Sequence, residues 1–249
     1  MGWRSSRGKI AAFIESRDLR ISVQDAGPEV ARRSSTSRSS VPVDFPAVTP
    51  REPIHVAPRW LIVPLDAAVP TDALPIRMAP GPGFGDGSHA TTELCLQALA
   101  ALTPRGRSFR LLDFGSGSGI LSIAAAAHLG AVVDAVEIDP HATEHGRRNA
   151  LANGVADRIH QRSALDEAPG PFDFIVANIL RSVLLSFAER LASLLAPGAV
   201  LVLSGLVSTD AAEVGARYAP LLGGRRPELY EREEWRALVW RGVQGPSSK

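Results

Sequence analysis

Three glycines alternate directly after an acid that ends an apolar run, in Leu111-Leu112-Asp113-Phe114-Gly115-Ser116-Gly117-Ser118-Gly119. Glycine removes the Cβ that would keep a ligand off the backbone and permits the positive φ of a tight turn, so a strand ending this way suits a nucleotide-type cofactor. A glycine-rich turn that only joins strand to helix has the same composition, and the rest of the chain must decide. Two further polar residues fall at expected strand ends. Glu137 follows the glycines by about twenty residues, the spacing at which an acid accepts from both hydroxyls of a ribose. Asn178 ends Ile175-Val176-Ala177-Asn178, where its amide oxygen can accept from an amine and aim the nitrogen lone pair. Taken alone, each reads as readily as a solvated strand end or a turn residue. Taken with Asp113, Gly115 and Gly117, they outline one crevice at the carboxyl ends of parallel strands.

Spacing separates two cofactor classes. A dinucleotide fingerprint, G-x-G-x-x-G, would place its third glycine at Ile120 or, counted from Gly117, at Ser122, which is only an approximate fit. The alternating form behind a carboxylate resembles instead the S-adenosylmethionine-dependent methyltransferases of the Rossmann-like class. That cofactor carries a sulfonium cation and no phosphate, so a strand-end carboxylate suits it, and the N-terminus of the next helix is expected to receive its methionine carboxylate. Two other reactive side chains weigh less. His89 sits in a loop without a partner motif, and Cys95, the single cysteine, reads as a small packed side chain rather than a nucleophile.

The elements that must position these groups follow from pattern. The chain has 249 residues, 45% hydrophobic, with a net charge of +1, which permits a packed core and gives no global field for nucleic acid or an anionic membrane. No direct nucleic-acid contact is expected, and one cysteine excludes an intrachain disulfide framework and a cysteine-based zinc site. No apolar stretch is long enough to span a bilayer, the start lacks the apolar core of a secretory signal, and the expectation is a cytoplasmic monomer that binds no metal. Residues 1–58 read as a divergent segment with a basic Ser/Arg-rich linker at 32–40, and residues 59–249 as the folded domain. Trp60–Pro64 reads as a strand. The Gly/Pro-rich stretch 78–92 is a loop before a helix that Thr91 or Thr92 can cap. From Arg110 strands and helices alternate: helix Ile120–His128, strand Val132–Glu137, a helix from Asp139-Pro140 to Asn153-Gly154, strand Phe172–Ala177, helix Leu180–Leu195 closed by Pro197-Gly198, and strand Ala199–Leu203. The expected fold class is α/β, a Rossmann-like, doubly wound, mostly parallel seven-stranded sheet. Leu229-Tyr230 and Leu238-Val239-Trp240 would add an antiparallel edge hairpin.

Six stretches then resemble, in order and spacing, the bacterial ribosomal protein L11 methyltransferase (PrmA) family: Phe84–Leu96, Asp113–Ile120, Glu137-Ile138-Asp139-Pro140, Ala177-Asn178-Ile179-Leu180, Leu203-Ser204-Gly205 and Glu233-Glu234-Trp235. The resemblance implies that Thr92, Gly115, Glu137 and Asn178 hold S-adenosylmethionine. It also implies methylation of amino groups on a ribosomal protein, lysine side chains and the α-amine included. Asp86 and Ser88 stand where the family usually has threonines, Glu137 where it usually has Asp, and residues 1–58 lack the length and pattern of its small substrate-recruiting domain. Another protein or a small-molecule amine as acceptor, a non-catalytic cofactor-binding module and, more distantly, a nicotinamide enzyme stay open. Nucleobase and glutamine methyltransferases tend to carry Asn-Pro-Pro-Tyr. Asn178-Ile179-Leu180-Arg181 lacks that aromatic ring and favours an aliphatic amine. The expected chemistry is in-line transfer to a neutral nitrogen, driven by alignment and exclusion of water.

Overall fold

The structure is a computed structural model that describes residues 52–56, 60–104 and 106–243. These residues belong to one compact unit, Ala47–Lys249. The basic run at 32–40 and all of residues 1–51 lie outside them.

The alternation seen in the sequence builds a seven-stranded sheet. Its strands are β4 (Phe109–Phe114), β5 (Ala131–Val136), β6 (Ile159–Arg162), β7 (Phe172–Asn178), β8 (Leu195–Val207), β9 (Glu228–Arg232) and β10 (Trp235–Val243), in the order β6-β5-β4-β7-β8-β10-β9. The first five of that order run parallel, and β10 pairs antiparallel with both β8 and β9, which is the expected edge hairpin. Strands buried on both faces need no alternation, and Leu111, Leu112, Phe174, Ile175 and Val176 are all fully buried. Helices α1 (Ala90–Leu102), α2 (Ile120–His128) and α3 (Pro140–Ala152) follow in order. The first two share one apolar core with Leu111, Val133, Phe174 and Val176. Three consecutive buried alanines, Ala124 to Ala126, let α2 approach the sheet closely. This is the doubly wound Rossmann-like architecture, whose reversal of strand order lies between β4 and β7.

Of a second sheet, the sequence showed only the central strand, Trp60–Pro64. β1 (Ile54–Val56) pairs antiparallel with β2 (Trp60–Pro64), and β2 pairs parallel with β3 (Leu74–Met78). Trp60 ties it to the domain: its buried indole donates to the Leu96 carbonyl of α1 at 3.1 Å.

The expected helix over Leu180–Leu195 is corrected. Two short helices, α4 (Arg181–Ser186) and α5 (Ala188–Ser193), meet at Phe187, whose ring stands edge-on to Phe114 of the sheet at 5.2 Å. Pro197-Gly198 closes no helix but lies inside β8, where the pairing with β7 skips from Phe172↔Leu195 to Phe174↔Val200. A bulge there accommodates a residue without an N–H and a glycine at φ +80 without breaking the ladder. The last helix, α6 (Ser208–Tyr218), is pinned by its buried tyrosine, whose hydroxyl donates to Leu184 O at 2.8 Å.

The described residues contain no lysine, so arginine makes their ion pairs with Asp and Glu. Buried Asp134 on β5 receives two of them, Arg110 at 3.2 Å and Arg162 at 2.9 Å. No helix among the described residues is long and apolar enough to cross a membrane.

Candidate active site

The glycine loop joins β4 to α2, and its conformation explains its composition. Gly115 and Gly117 have φ of +84 and +54. A Cβ on Gly115 would lie 2.1 Å from Ile179 Cγ2, and one on Gly117 would lie 2.6 Å from the Phe84 carbonyl oxygen. These glycines therefore make room for neighbouring segments of the chain. The loop's amides are also occupied. Gly115 and Ser116 donate to Val136 O at 2.9 and 3.0 Å, Ser118 to Phe84 O at 3.0 Å, and Gly119 to Ser116 O at 2.8 Å. Gly117 donates to Glu137 Oε2 at 3.0 Å. A dinucleotide loop presents such N–H groups to a pyrophosphate. Here they are turned inward, which argues against the nicotinamide reading.

Two carboxylates flank the loop with different duties. Asp113 is buried, and its Oδ2 accepts from the Ser122 amide at 3.1 Å and hydroxyl at 2.6 Å. It therefore caps the first turn of α2, whose Ile120 amide is met by Ser118 Oγ at 3.4 Å. Much of the helix end expected to receive a carboxylate is already satisfied from within. Asp113 Oδ1 is buried without a partner. Burial pushes this carboxyl up to about 6, against the two bonds from Ser122. Glu137 stands just past β5, with Oε1 accepting from the Asp139 amide at 2.9 Å and Oε2 from Gly117. Burial again raises its pKa, opposed by those backbone bonds.

Thr92 is not a cap. His89 caps α1, its Nδ1 accepting from the Thr91 amide at 3.3 Å, so both threonines lie inside the first turn. An imidazole two residues before Thr91 reaches the free N–H first. Thr92 Oγ1 is buried without a partner. One turn on, Cys95 is fully buried and hydrogen-bonded to Ser204, and burial raises its thiol to about 12, so it packs rather than attacks. Ser204 is the register partner of Asn178 at the end of β7. This chain of contacts brings Thr92, Asp113, the glycines, Glu137 and half-buried Asn178 to the carboxyl edge of the sheet.

The sequence left the mouth of this site largely unassigned. Phe84, 41% exposed, stands edge-on to His89 at 5.4 Å, and His89 stands edge-on to Trp235 at 4.7 Å. Burial lowers the His89 pKa, while Asp86, Glu234 and Glu233 pull it upward, so acidic groups surround this aromatic wall. Asp86 is tied locally, accepting from the Ser88 amide at 2.9 Å and hydroxyl at 2.7 Å. Glu233 takes φ +54 in the β9–β10 turn, and Arg232 anchors that turn to Glu93 of α1. The signal was available as Phe84, His89 and Trp235, but nothing in their spacing says that the loop of the first two meets the strand of the third.

Comparison with known proteins agrees with this geometry. The sequence model of the family described as ribosomal protein L11 methyltransferase (PrmA) matches residues 49–242. The chain is 43% identical over 176 residues to the ribosomal protein L11 methyltransferase of Xylella fastidiosa, covering 68% of this chain and 57% of that protein. It is 38% identical over 192 residues to the one from Bacillus velezensis, covering 75% of this chain and 61% of that protein. It thus spans about three-fifths of the length of these curated relatives. The crystal structure of the ribosomal protein L11 methylase from Lactobacillus delbrueckii subsp. bulgaricus superposes with a TM-score of 0.68 at 29% identity, covering 76% of this chain and 98% of that one. Since the match runs through both sheets and every segment of the site, the chain belongs to the ribosomal protein L11 methyltransferase (PrmA) family.

Proposed function

We propose that the chain is an S-adenosylmethionine-dependent N-methyltransferase acting on protein amino groups, a lysine side chain or an α-amine, of a large-subunit ribosomal protein. The observation that carries this reading is the turn at the end of β7. Ile179, the residue after Asn178, sits directly against the glycine loop and fills the space that Gly115 leaves. A ligand held by that loop and an amine met by Asn178 would therefore be neighbours.

The residues fit the cofactor by chemistry. When bound, S-adenosylmethionine supplies a methyl group made electrophilic by a sulfonium. Asp113 and Glu137 offer negative charge with no phosphate-directed cation in the loop, and the unpartnered Thr92 hydroxyl and Asp113 Oδ1 are buried polar atoms without a donor or acceptor in the protein. Glu137 keeps acceptor capacity for ribose hydroxyls beyond its two backbone bonds. Asn178 orients the acceptor nitrogen through its amide oxygen. Phe84, His89 and Trp235 wall the approach, and their apolar surfaces favour the neutral form of an amine whose free pKa is about 10.4. His89 is not the base in this arrangement, because Nδ1 already accepts from Thr91. The acidic rim draws a cationic segment to the mouth.

The test is transfer of labelled methyl from S-adenosylmethionine to purified ribosomal protein L11, with a whole-cell extract in a parallel lane. A labelled band at the ribosomal protein is expected. Label on small molecules alone, or cofactor binding with no label anywhere, would overturn the acceptor or the activity respectively.

A further inference from the structure

The loop that carries Phe84 is held from beneath by a histidine that belongs to none of the site motifs. His145 lies in the middle of α3 and is 3% exposed. Its Nδ1 accepts from the Gly83 amide at 3.2 Å, and its Nε2 meets the Ala79 carbonyl at 2.8 Å. A backbone N–H only donates and a carbonyl only accepts, so this arrangement needs a neutral ring with the proton on Nε2. The loop is shaped for that ring. A Cβ on Gly81 would lie 2.4 Å from His145 Cδ2, and one on Gly83 would lie 2.8 Å from His145 Nδ1. Asn149, one turn along, completes the bracket by accepting from Ala79 N at 2.8 Å and donating to Ser118 O at 2.9 Å. Ser118 in turn holds the next two loop residues, through Phe84 O at 3.0 Å and Gly85 O at 2.6 Å.

We infer that His145 is a positioning residue: as the Nε2–H tautomer it clamps residues Ala79 to Gly83 and thereby sets Phe84 against the glycine loop at the mouth of the site. Its consequence for catalysis rests on the function proposed above. Protonating Nδ1 would turn a donor toward the Gly83 N–H and bury a cation, so the clamp opens as the ring becomes charged. The charge bearing on the ring is that of Arg148 on its own helix, and the loop and the glycine turn packed against it present backbone groups. Burial, with Arg148, lowers its pKa below the ordinary 6.5, against the bond to Ala79. The clamp therefore stays closed at neutral pH and opens in mild acid.

The test uses the full chain labelled with nitrogen-15 and titrated by NMR from about pH 8 to 5. The Nε2–H tautomer is expected at the alkaline end. Gly83 and Phe84 amides should shift with His145 and lose exchange protection as it protonates. In His145→Asn, whose amide oxygen keeps an acceptor for Gly83 but does not titrate, they should stay still. An Nδ1–H tautomer, or loop amides that ignore the titration of His145, overturns the inference. A second arm measures methyl transfer to ribosomal protein L11. As pH falls from about 7 to 5, KM for the acceptor should rise severalfold more in the wild type than in His145→Asn, with kcat changing in parallel in the two. Matching KM profiles overturn the inference. A wild type without transfer at any pH refutes the proposed function instead, and the NMR arm still decides the role of His145.

Discussion

At the scale of single residues, the site separates groups that hold one another from groups that face a ligand. Asn178, at a strand end and half-buried, is proposed to be of the second kind. Asn178→Ala is expected to lower methyl transfer by about a hundredfold, the size of a misaligned near-attack geometry, while cofactor affinity measured by calorimetry changes far less. Asp113 is of the first kind, and its titration has a definite sign. Its pKa is about 6 when folded against the ordinary 3.8 of an aspartate, so the native state binds the proton more tightly than the unfolded chain. That contribution to stability is fully present below about pH 4 and is lost as pH rises through about 6. Between about pH 4 and 6, the cofactor-free wild type should therefore lose stability relative to Asp113→Asn, seen as diverging denaturant midpoints. Parallel midpoints would show that the buried carboxyl titrates normally. Asp113, Gly115 and Gly117 were legible because strand, acid and glycines are contiguous, and spacing alone pointed to Glu137. The roles of His89 and His145 were not, since a cap is decided by which acceptor reaches a free N–H and a clamp by a loop 62 residues away.

At the scale of elements, two loops and one turn enclose the glycine loop, and glycines form each seam. Gly81 tests the seam under the Phe84 loop. The atoms nearest its added Cβ all belong to His145, so Gly81→Ala should destabilise the chain by about 1–3 kcal/mol. Most of that cost should vanish in the His145→Ala background, as a double-mutant cycle in denaturant would show. Additive costs would mean that ring and loop do not press on each other. Helix starts such as Asp139-Pro140, where Asp139 accepts from the His141 amide at 3.0 Å, were readable because capping is local chemistry. Other elements carry no such signature. Leu74–Met78 contains a proline and an arginine, and Ile159–Arg162 is a polar edge strand. Ser208–Tyr218 starts without a side-chain cap. The split between α4 and α5 was equally hidden, because it depends on Phe187 reaching the distant Phe114.

For the molecule as a whole, the proposed cofactor and acceptor sites share the turn at Ile179 and the loop at Phe84. Binding at one should therefore stiffen the other. S-adenosylmethionine at about a hundred times its Kd should stabilise the chain by roughly 2.7 kcal/mol, raising Tm by about 5–10 °C in a thermal melt, while NAD should leave it unmoved. A shift with NAD alone would reopen the dinucleotide reading. The fold class was legible throughout, from the alternation of elements and the late hairpin. The three-stranded side sheet was not, because Trp60 finds its place through the carbonyl of a helix that the sequence does not pair with it. The use of arginine for every surface cation in the described residues has a last consequence. An enzyme that alkylates primary amines is surrounded at close range by its own side chains. On the proposed function, this one meets no lysine among its described residues: the two lysines of the sequence, Lys9 and Lys249, lie outside them. Guanidinium groups keep their charge and make poor nucleophiles. If the proposed function holds, incubation with the methyl donor and no acceptor would leave the described residues unmarked.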